Sequence, residues 1–253
     1  MDALGGMAAV VSGAGSGIGR AISTALADRG VGVVVSDVDV DGAQQTTDGI
    51  RASGGNAVSQ QCDVTSSADL KGAFERAVRE FGRLDIVCNN AGIGGDNAWL
   101  TDENSDWKRV IEIDLVAVID ATRLTIDALG PEGGVIINTS SLIGLYPMAA
   151  APIYGAAKAG VIAFTRSLRS LAEEKGIRVN AICPEVVDTP LAERGMGREI
   201  MNELRQANTV LTPDQIAELV IEIIADPTRA GEIVQITASD GVQWVDPTPR
   251  IRS

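Results

Sequence analysis

The sequence predicts an α/β fold: a doubly wound parallel sheet of about seven strands with helices on both faces. Three observations predict it. Short β-branched apolar runs alternate with longer segments of helical period along the chain, and such β-α-β-α alternation is the pattern of a parallel sheet. Most of the runs are near-continuously apolar, as strands buried on both faces are. No composition break, repeat or low-complexity tract marks a second unit, so residues 1–253 are expected to form a single domain.

The apolar runs fall at 7–12, 31–36, 57–62, 84–89, 133–139, 177–183 and 232–236. Helical periodicity covers 17–29, 40–53, 66–81, 103–129, 153–175 and 212–225. Segment 66–81 has Thr65 and Ser66 as N-capping candidates and ends at Gly82, residue types suited to the two ends of a helix. The stretch 186–210 breaks the rhythm. It carries Pro190, Gly195 and Gly197 and is expected to be a variable loop with short helices. The tail after Gly241, with Pro247 and Pro249, is expected to run over the surface.

Composition excludes several function classes. A formal net charge of −13 opposes a general basic surface for nucleic acid or anionic membrane. No window reaches the ~18–20 continuous apolar residues of a membrane span. Residues 1–7 have no basic region ahead of an apolar run, so no secretory signal is read and the expected location is cytoplasmic. Cys62, Cys88 and Cys183 are odd in number and lack motif spacing, which reads as reduced, buried thiols rather than a disulfide frame or zinc site. Histidine is absent. That rules out a Ser-His-Asp triad and every histidine-containing zinc site, and no metal is expected. Tyrosine and lysine are left as the proton-handling groups near neutral pH.

The first run ends in Ser12-Gly-Ala-Gly-Ser-Gly-Ile-Gly19, and a helical pattern follows at once. The general dinucleotide spacing G-x-G-x-x-G fails, because its third glycine falls at Ile18. The spacing present is Gly13-x-x-x-Gly17-x-Gly19, with Ser16 and Ile18 inside it. Its physics is the same: a tight turn, a backbone able to approach a pyrophosphate, and a helix N-terminus offering N–H groups to an anion. The second run leads to Asp37, where a carboxylate accepts hydrogen bonds from ribose hydroxyls and repels a 2′-phosphate. No basic residue lies between Gly13 and Gly19, and Ser36 precedes the acid. The expected cofactor is therefore NAD rather than NADP, on a Rossmann-type fold.

Ser141, Tyr154 and Lys158 form the most informative constellation. A phenol titrates near ~10 and is a poor acid or base unaided. Lys158 stands at i+4 from Tyr154, on the same helix face, where its charge favours the phenolate. A serine hydroxyl from a nearby strand can hold a substrate oxygen while the tyrosine moves its proton. The other tyrosine, Tyr146, has Ala150 at the corresponding place, so Tyr154 alone has the partner.

Together these elements resemble the short-chain dehydrogenase/reductase family, in its single-domain group, over nearly the whole chain. The resemblance rests on the glycine loop, Asp63-Val64 after the third strand, Asn89-Asn-Ala-Gly92 after the fourth, Ser141/Tyr154/Lys158, and Asn180-Ala-Ile-Cys-Pro184 with Thr189 beyond. It implies that Tyr154 is the general acid/base and that Ser141 binds the substrate oxygen. Lys158 would lower the tyrosine pKa and bind the nicotinamide ribose. Asp63 and Val64 would flank the adenine, Asn90, Ala91 and Gly92 would line the cofactor floor, and Val187 and Thr189 would hold the carboxamide and phosphate side. A homotetramer built on segments 103–129 and 153–175 is implied, with a dimer as second choice.

Two positions depart from the family pattern. Asp114 stands where the family has an asparagine that completes a proton relay to the lysine. The exchange is near-isosteric; a carboxylate there could instead pair with Lys158 and weaken its effect on Tyr154. Glu185 replaces the usual glycine after Pro184, constraining the backbone or placing a negative charge near the nicotinamide. The common terminal Gly-Gly is missing; the chain reads Ala238-Ser-Asp-Gly-Val242. That ending and the loop 142–153 loosely resemble the 15-hydroxyprostaglandin dehydrogenase branch, which assigns no prostaglandin substrate. The uncharged segment 142–153, with Leu191, Met196, Ile200, Met201 and Leu204, suggests an apolar pocket for a hydrophobic secondary alcohol or ketone. The rival from another class is an NAD-binding sensor or scaffold with weakened catalysis; within enzymes it is an NADP-dependent ketoreductase, disfavoured by Asp37.

Overall fold

The structure, a computed structural model, describes residues 4–94 and 106–246. Its strands are β1 (Ala8–Ser12), β2 (Gly32–Asp37), β3 (Ala57–Gln61), β4 (Ile86–Asn89), β5 (Gly134–Thr139), β6 (Ile177–Pro184), β7 (Ile233–Thr237) and β8 (Gly241–Trp244). The helices of the first half are α1 (Gly17–Asp28), α2 (Val40–Ala52), α3 (Ser67–Phe81), α4 (Trp107–Ile111) and α5 (Ala117–Ala128). Those of the second are α6 (Leu142–Leu145), α7 (Pro152–Ser167), α8 (Leu171–Lys175), α9 (Pro190–Met196), α10 (Arg198–Gln206) and α11 (Pro213–Ala225).

The strands form one sheet in the order β3-β2-β1-β4-β5-β6-β7-β8. β1 to β7 pair in parallel. Successive side chains of a strand point to opposite faces, so the continuous valines of β2 serve two cores. Val33 and Val35 pack with Ile22, Leu26, Ile216 and Val220, under α1 and α11. Val34 packs on the other face with Leu70, Phe74, Ala121 and Leu124 of α3 and α5. Each such large side chain, fully buried, contributes roughly 1.5–3 kcal/mol relative to exposure.

The order reverses between β1 and β4, which opens a crevice beyond the carboxyl ends of the strands. Apart from Tyr154 and Lys158, which lie on α7, the motifs singled out from the sequence follow strand ends on that edge: Gly13–Gly19 after β1, Asp37 closing β2, Asp63 after β3, Asn90–Gly92 after β4, Ser141 after β5 and Val187–Thr189 after β6. The helix ends agree with their residue chemistry. Ser66 caps α3 by accepting from the Asp69 N–H, and Gly82 ends it in the left-handed conformation at φ +79°.

Three features differ from the periodicity. An eighth strand, β8, pairs antiparallel with β7. Gly241, at φ +68°, opens the returning strand, and all four β8 residues are exposed, so no apolar run announced it. The segment 103–129 is not one uniform helix, since a π-helical turn at Glu112–Val116 separates α4 from α5; residues 103–105 lie outside the described residues. Segment 153–175 divides into α7 and α8. The expected short helices at 186–210 are α9 and α10. The expected surface course of the tail concerns residues 247–253, outside those described. Among the described residues no helix is long and apolar enough to cross a membrane.

Candidate active site

The turn after β1 and the turn after β4 are built as one unit. Ser12 Oγ accepts from the N–H groups of Asn90 (3.1 Å) and Ala91 (3.2 Å) and donates to the Cys88 carbonyl (3.3 Å). Asn90 Nδ2 donates back to the Ser12 carbonyl at 3.0 Å and the Gly13 carbonyl at 3.3 Å. Gly13 has φ +64°, and a Cβ there would stand 2.7 Å from Ala91 Cα. Gly17, at φ +51°, brings the loop within 3.0 Å of Thr189 Cγ2, measured from its would-be Cβ. Ser16 precedes α1 without capping it by its side chain, and no acid occupies the first turn. Ile18 packs against the core.

Asp37 is half-buried at the end of β2. It accepts from the Gly15 N–H at 2.8 Å and the Asp39 N–H at 2.9 Å. Beside it the Arg20 guanidinium donates to the Gly15 carbonyl and, at 3.0 Å, to Thr46 Oγ1. Asp63 accepts from the Thr65 hydroxyl (2.7 Å), the Thr65 N–H (3.0 Å) and Arg109 (3.2 Å). Those bonds, the Thr65 hydroxyl first, hold its carboxyl below the usual range. Val64 packs partly buried on the α3 side of the sheet.

The second cluster sits where β5, α6 and α7 meet. Pro152 opens α7, and its fixed φ suits a first helical turn. Gly144 of α6 lies so close to α7 that a Cβ would stand 2.8 Å from the Lys158 carbonyl carbon. Ser140 Oγ donates to the Lys158 carbonyl at 2.8 Å. Ser141 caps α6, its Oγ accepting from the Ile143 N–H at 3.3 Å. Lys158 Nζ reaches the Thr139 carbonyl at 3.1 Å and lies 5.4 Å from the centre of the half-buried Tyr154 ring.

Asp114, in the π-helical turn, faces the same ammonium. Its Oδ1 is 3.1 Å from Lys158 Nζ; the two side chains are 0 % and 3 % exposed. Of the two sequence expectations for this position, the geometry displays the pairing. The Ile93 N–H donates to the carboxylate at 3.2 Å, and Gly92 makes room for it, since a Cβ there would sit 2.5 Å from Oδ1. Burial pushes the Asp114 carboxyl up, against the pull of Lys158 and the Ile93 N–H. Burial alone would lower Lys158, but Asp114, followed by Tyr154, outweighs it and holds the ammonium above its ordinary value. A buried pair is no strong source of net stability, but removing one partner costs about 3–5 kcal/mol.

Glu185 follows β6 and is held by two hydrogen bonds. Its N–H donates to the Ile236 carbonyl at 2.9 Å and its carboxylate accepts from the Ala238 N–H at 3.0 Å, so it ties β6 to the end of β7. Its φ is not positive, so the residue is unstrained where the family has glycine. Val187 is buried and Thr189 caps α9. Of the expected pocket residues, Met201 of α10 is fully buried, whereas Met196 and Ile200 are exposed. Leu191 stands 3.8 Å from the would-be Cβ of Gly94. Residues that sequence reasoning missed are Ser12, the Thr139 carbonyl and Arg109. Ser12 had a visible signal, a hydroxyl closing a buried strand directly before the glycine turn; the other two had none.

A glycine turn opening a helix, an acid closing the next strand and a tyrosine over a buried lysine define a dinucleotide-dependent dehydrogenase class. The short chain dehydrogenase family description matches residues 7–200. The mouse (Mus musculus) 15-hydroxyprostaglandin dehydrogenase [NAD(+)] is 37% identical, over 95% of this chain and 93% of its own. Cyclohexanol dehydrogenase of Acinetobacter sp. (strain SE19) is also 37% identical, over 86% of this chain and 87% of its own. Among solved structures, a 7α-hydroxysteroid dehydrogenase complexed with NADH and 7-oxo glycochenodeoxycholic acid superposes with a TM-score of 0.86 at 29% identity, covering 96% of this chain and 97% of that one. The chain belongs to the short-chain dehydrogenase family.

Proposed function

We propose that the protein is an NAD-dependent oxidoreductase that interconverts a hydrophobic secondary alcohol and its ketone, with Tyr154 as general acid/base. The observation that carries the reading is the buried Lys158 ammonium held 5.4 Å from the Tyr154 ring. The residues present fit the cofactor. The cradle has no space for a Cβ at Gly13 and Gly19, and Gly17 holds φ +51° beside Thr189; α1 offers an N-terminus uncapped by a side chain, suited to a pyrophosphate. Asp37 stands where ribose hydroxyls would be read. Its neighbour Arg20 is held on Gly15 and Thr46, which supports NAD over NADP.

The chemistry that bound NAD supplies is acceptance of a hydride from the carbinol carbon. The residues of the chain handle the proton and the geometry. Ser141 Oγ holds the substrate oxygen, and Tyr154 Oη takes its proton during oxidation and returns it during reduction. Lys158 keeps a positive charge beneath the ring and binds the nicotinamide ribose. Asn90, Ala91 and Gly92 line the cofactor floor, Asp63 and Val64 flank the adenine, and Val187 and Thr189 hold the carboxamide and phosphate side. The relatives named for prostaglandin, cyclohexanol and steroid hydroxyls support an apolar carbinol, as does the uncharged segment 142–153.

One observation favours the second reading, a binding protein with weakened catalysis: Asp114 neutralises the lysine that should act on Tyr154. Both readings are tested by reduction of NAD⁺ with a panel of cyclic and long-chain secondary alcohols beside small polyols. Turnover of the cyclic alcohols, slower with NADP⁺, is expected. Firm NADH binding with no turnover of any alcohol would leave the binding-protein reading standing.

A cytoplasmic location rests on three free, buried cysteines, typical of a reducing compartment. A homotetramer using α4, α5 and α7 is supported by the exposed Trp107, Val116 and Ile119 (41 %, 52 % and 38 %). Sedimentation is expected to give four chains; a monomer at micromolar concentration would refute the assembly.

A further inference from the structure

We propose that Asp114 tunes the site toward the oxidised form of its cofactor: by cancelling the charge of Lys158 it strengthens binding of NAD⁺, whose nicotinamide ring is cationic, relative to NADH. The inference rests on the reading that Lys158 binds the nicotinamide ribose. It concerns the affinities of the two cofactor forms and needs no turnover.

The pair is built into the floor of the expected cofactor site. Asp114 Oδ1 stands 3.1 Å from Lys158 Nζ, with side chains 0 % and 3 % exposed. A Cβ on Gly92 would meet both groups, 2.5 Å from Oδ1 and 3.4 Å from Nζ, so the two charges lie directly against the Asn90–Gly92 turn. The same Oδ1 accepts from the Ile93 N–H at 3.2 Å, and Nζ donates to the Thr139 carbonyl at 3.1 Å. One oxygen of Asp114 thus meets both of its partners, a task that an amide oxygen performs as well. The hydrogen bonds do not call for a carboxylate; its negative charge is what an asparagine would lack. The Cys183 thiol also acts on Lys158, but burial pushes it up to about 12, so it adds no charge near neutrality.

Oxidised and reduced cofactor share the adenine, the pyrophosphate and both riboses. They differ by one positive charge on the nicotinamide ring. A neutral ion pair leaves that charge unopposed, whereas a lone buried ammonium repels it. Enclosed charges are screened far less than exposed ones, so the repulsion acts across several ångströms. NADH has no ring charge and is nearly indifferent to the exchange.

The test is a ratio of dissociation constants. NADH is titrated by its fluorescence, and NAD⁺ and ADP-ribose by displacing it, in the native protein and in Asp114→Asn. The ratio Kd(NAD⁺)/Kd(NADH) is expected to rise about three- to tenfold in Asp114→Asn, with NAD⁺ losing more affinity than ADP-ribose. ADP-ribose keeps the second ribose but lacks the charged ring, so it reads any change in fold or in the ribose contact. An unchanged or lowered ratio would overturn the proposal, and so would parallel weakening of all three ligands, the signature of a merely structural role. Should Asp114→Asn not fold, Asp114→Ser removes the same charge with a smaller side chain and should move the ratio the same way. If the native protein binds neither dinucleotide, the cofactor reading fails and the proposal with it; if both bind and the ratio stays put, the proposal alone fails.

Discussion

Tyr154→Phe should lower kcat by about 10²–10⁴-fold while leaving NADH binding intact. The substitution removes one hydroxyl and keeps the ring that lies 5.4 Å from Lys158 Nζ. The packing of α7 on α6 through Gly144 does not involve that hydroxyl, and neither do the bonds from Ser140 and to Thr139. The loss is therefore one of proton transfer, not of fold. Steady-state oxidation beside a fluorescence titration with NADH separates the two. Equal loss of turnover and binding would make Tyr154 a structural residue, and an unchanged kcat would remove it from the chemistry.

Gly19→Ala should weaken NADH binding at least tenfold and lower the melting temperature. An added Cβ collides with the Gly13 carbonyl and stands 2.6 Å from Asn90 Nδ2. Backbone cannot step aside as a side chain can. The strain of such overpacking is typically about 1–3 kcal/mol, equivalent to roughly 2–4 °C for each kcal/mol in a chain of this size. The shift also reaches the Ser12–Asn90 hydrogen bonds that hold the two turns together, so binding and stability fall together. Gly72→Ala is the control: it lies inside α3 with nothing within 4 Å of the new methyl, and it should stabilise slightly. Thermal unfolding with and without NADH checks both, and a Gly19→Ala protein with native affinity would show that the turn tolerates the displacement.

Much of this site was visible before any coordinates. Ser12–Gly19 followed by a helix pattern, Asp37 closing the second run, and Tyr154 with Lys158 at i+4 are local arrangements. Local arrangements survive as sequence because a strand, its turn and the next helix are contiguous. The caps of α3 at Ser66 and Gly82 were legible for the same reason. The π-helical turn at Glu112–Val116 was not, because one extra residue in a turn barely alters the spacing of apolar positions. The full burial of Met201 was not legible either, because an apolar residue on a short helix looks the same whether it faces solvent or the core.

The sequence by itself determined the alternating architecture, the glycine turn that opens α1, the acid at the end of β2 and the tyrosine–lysine helix face. Each depends on residues within one turn or one βαβ unit. Only the tertiary structure decided that Asp114 and Lys158 form one buried pair, that Glu185 binds the Ala238 N–H, and that β8 closes the sheet edge antiparallel to β7. The first two of those contacts join elements far apart in the chain. The buried pair exists because β4 and β5 lie side by side, carrying the Gly92 turn and Thr139 to the same edge, and because a glycine without a Cβ leaves room there for a carboxylate. Strand order and close approach of this kind are properties of the packed sheet, which no single segment encodes.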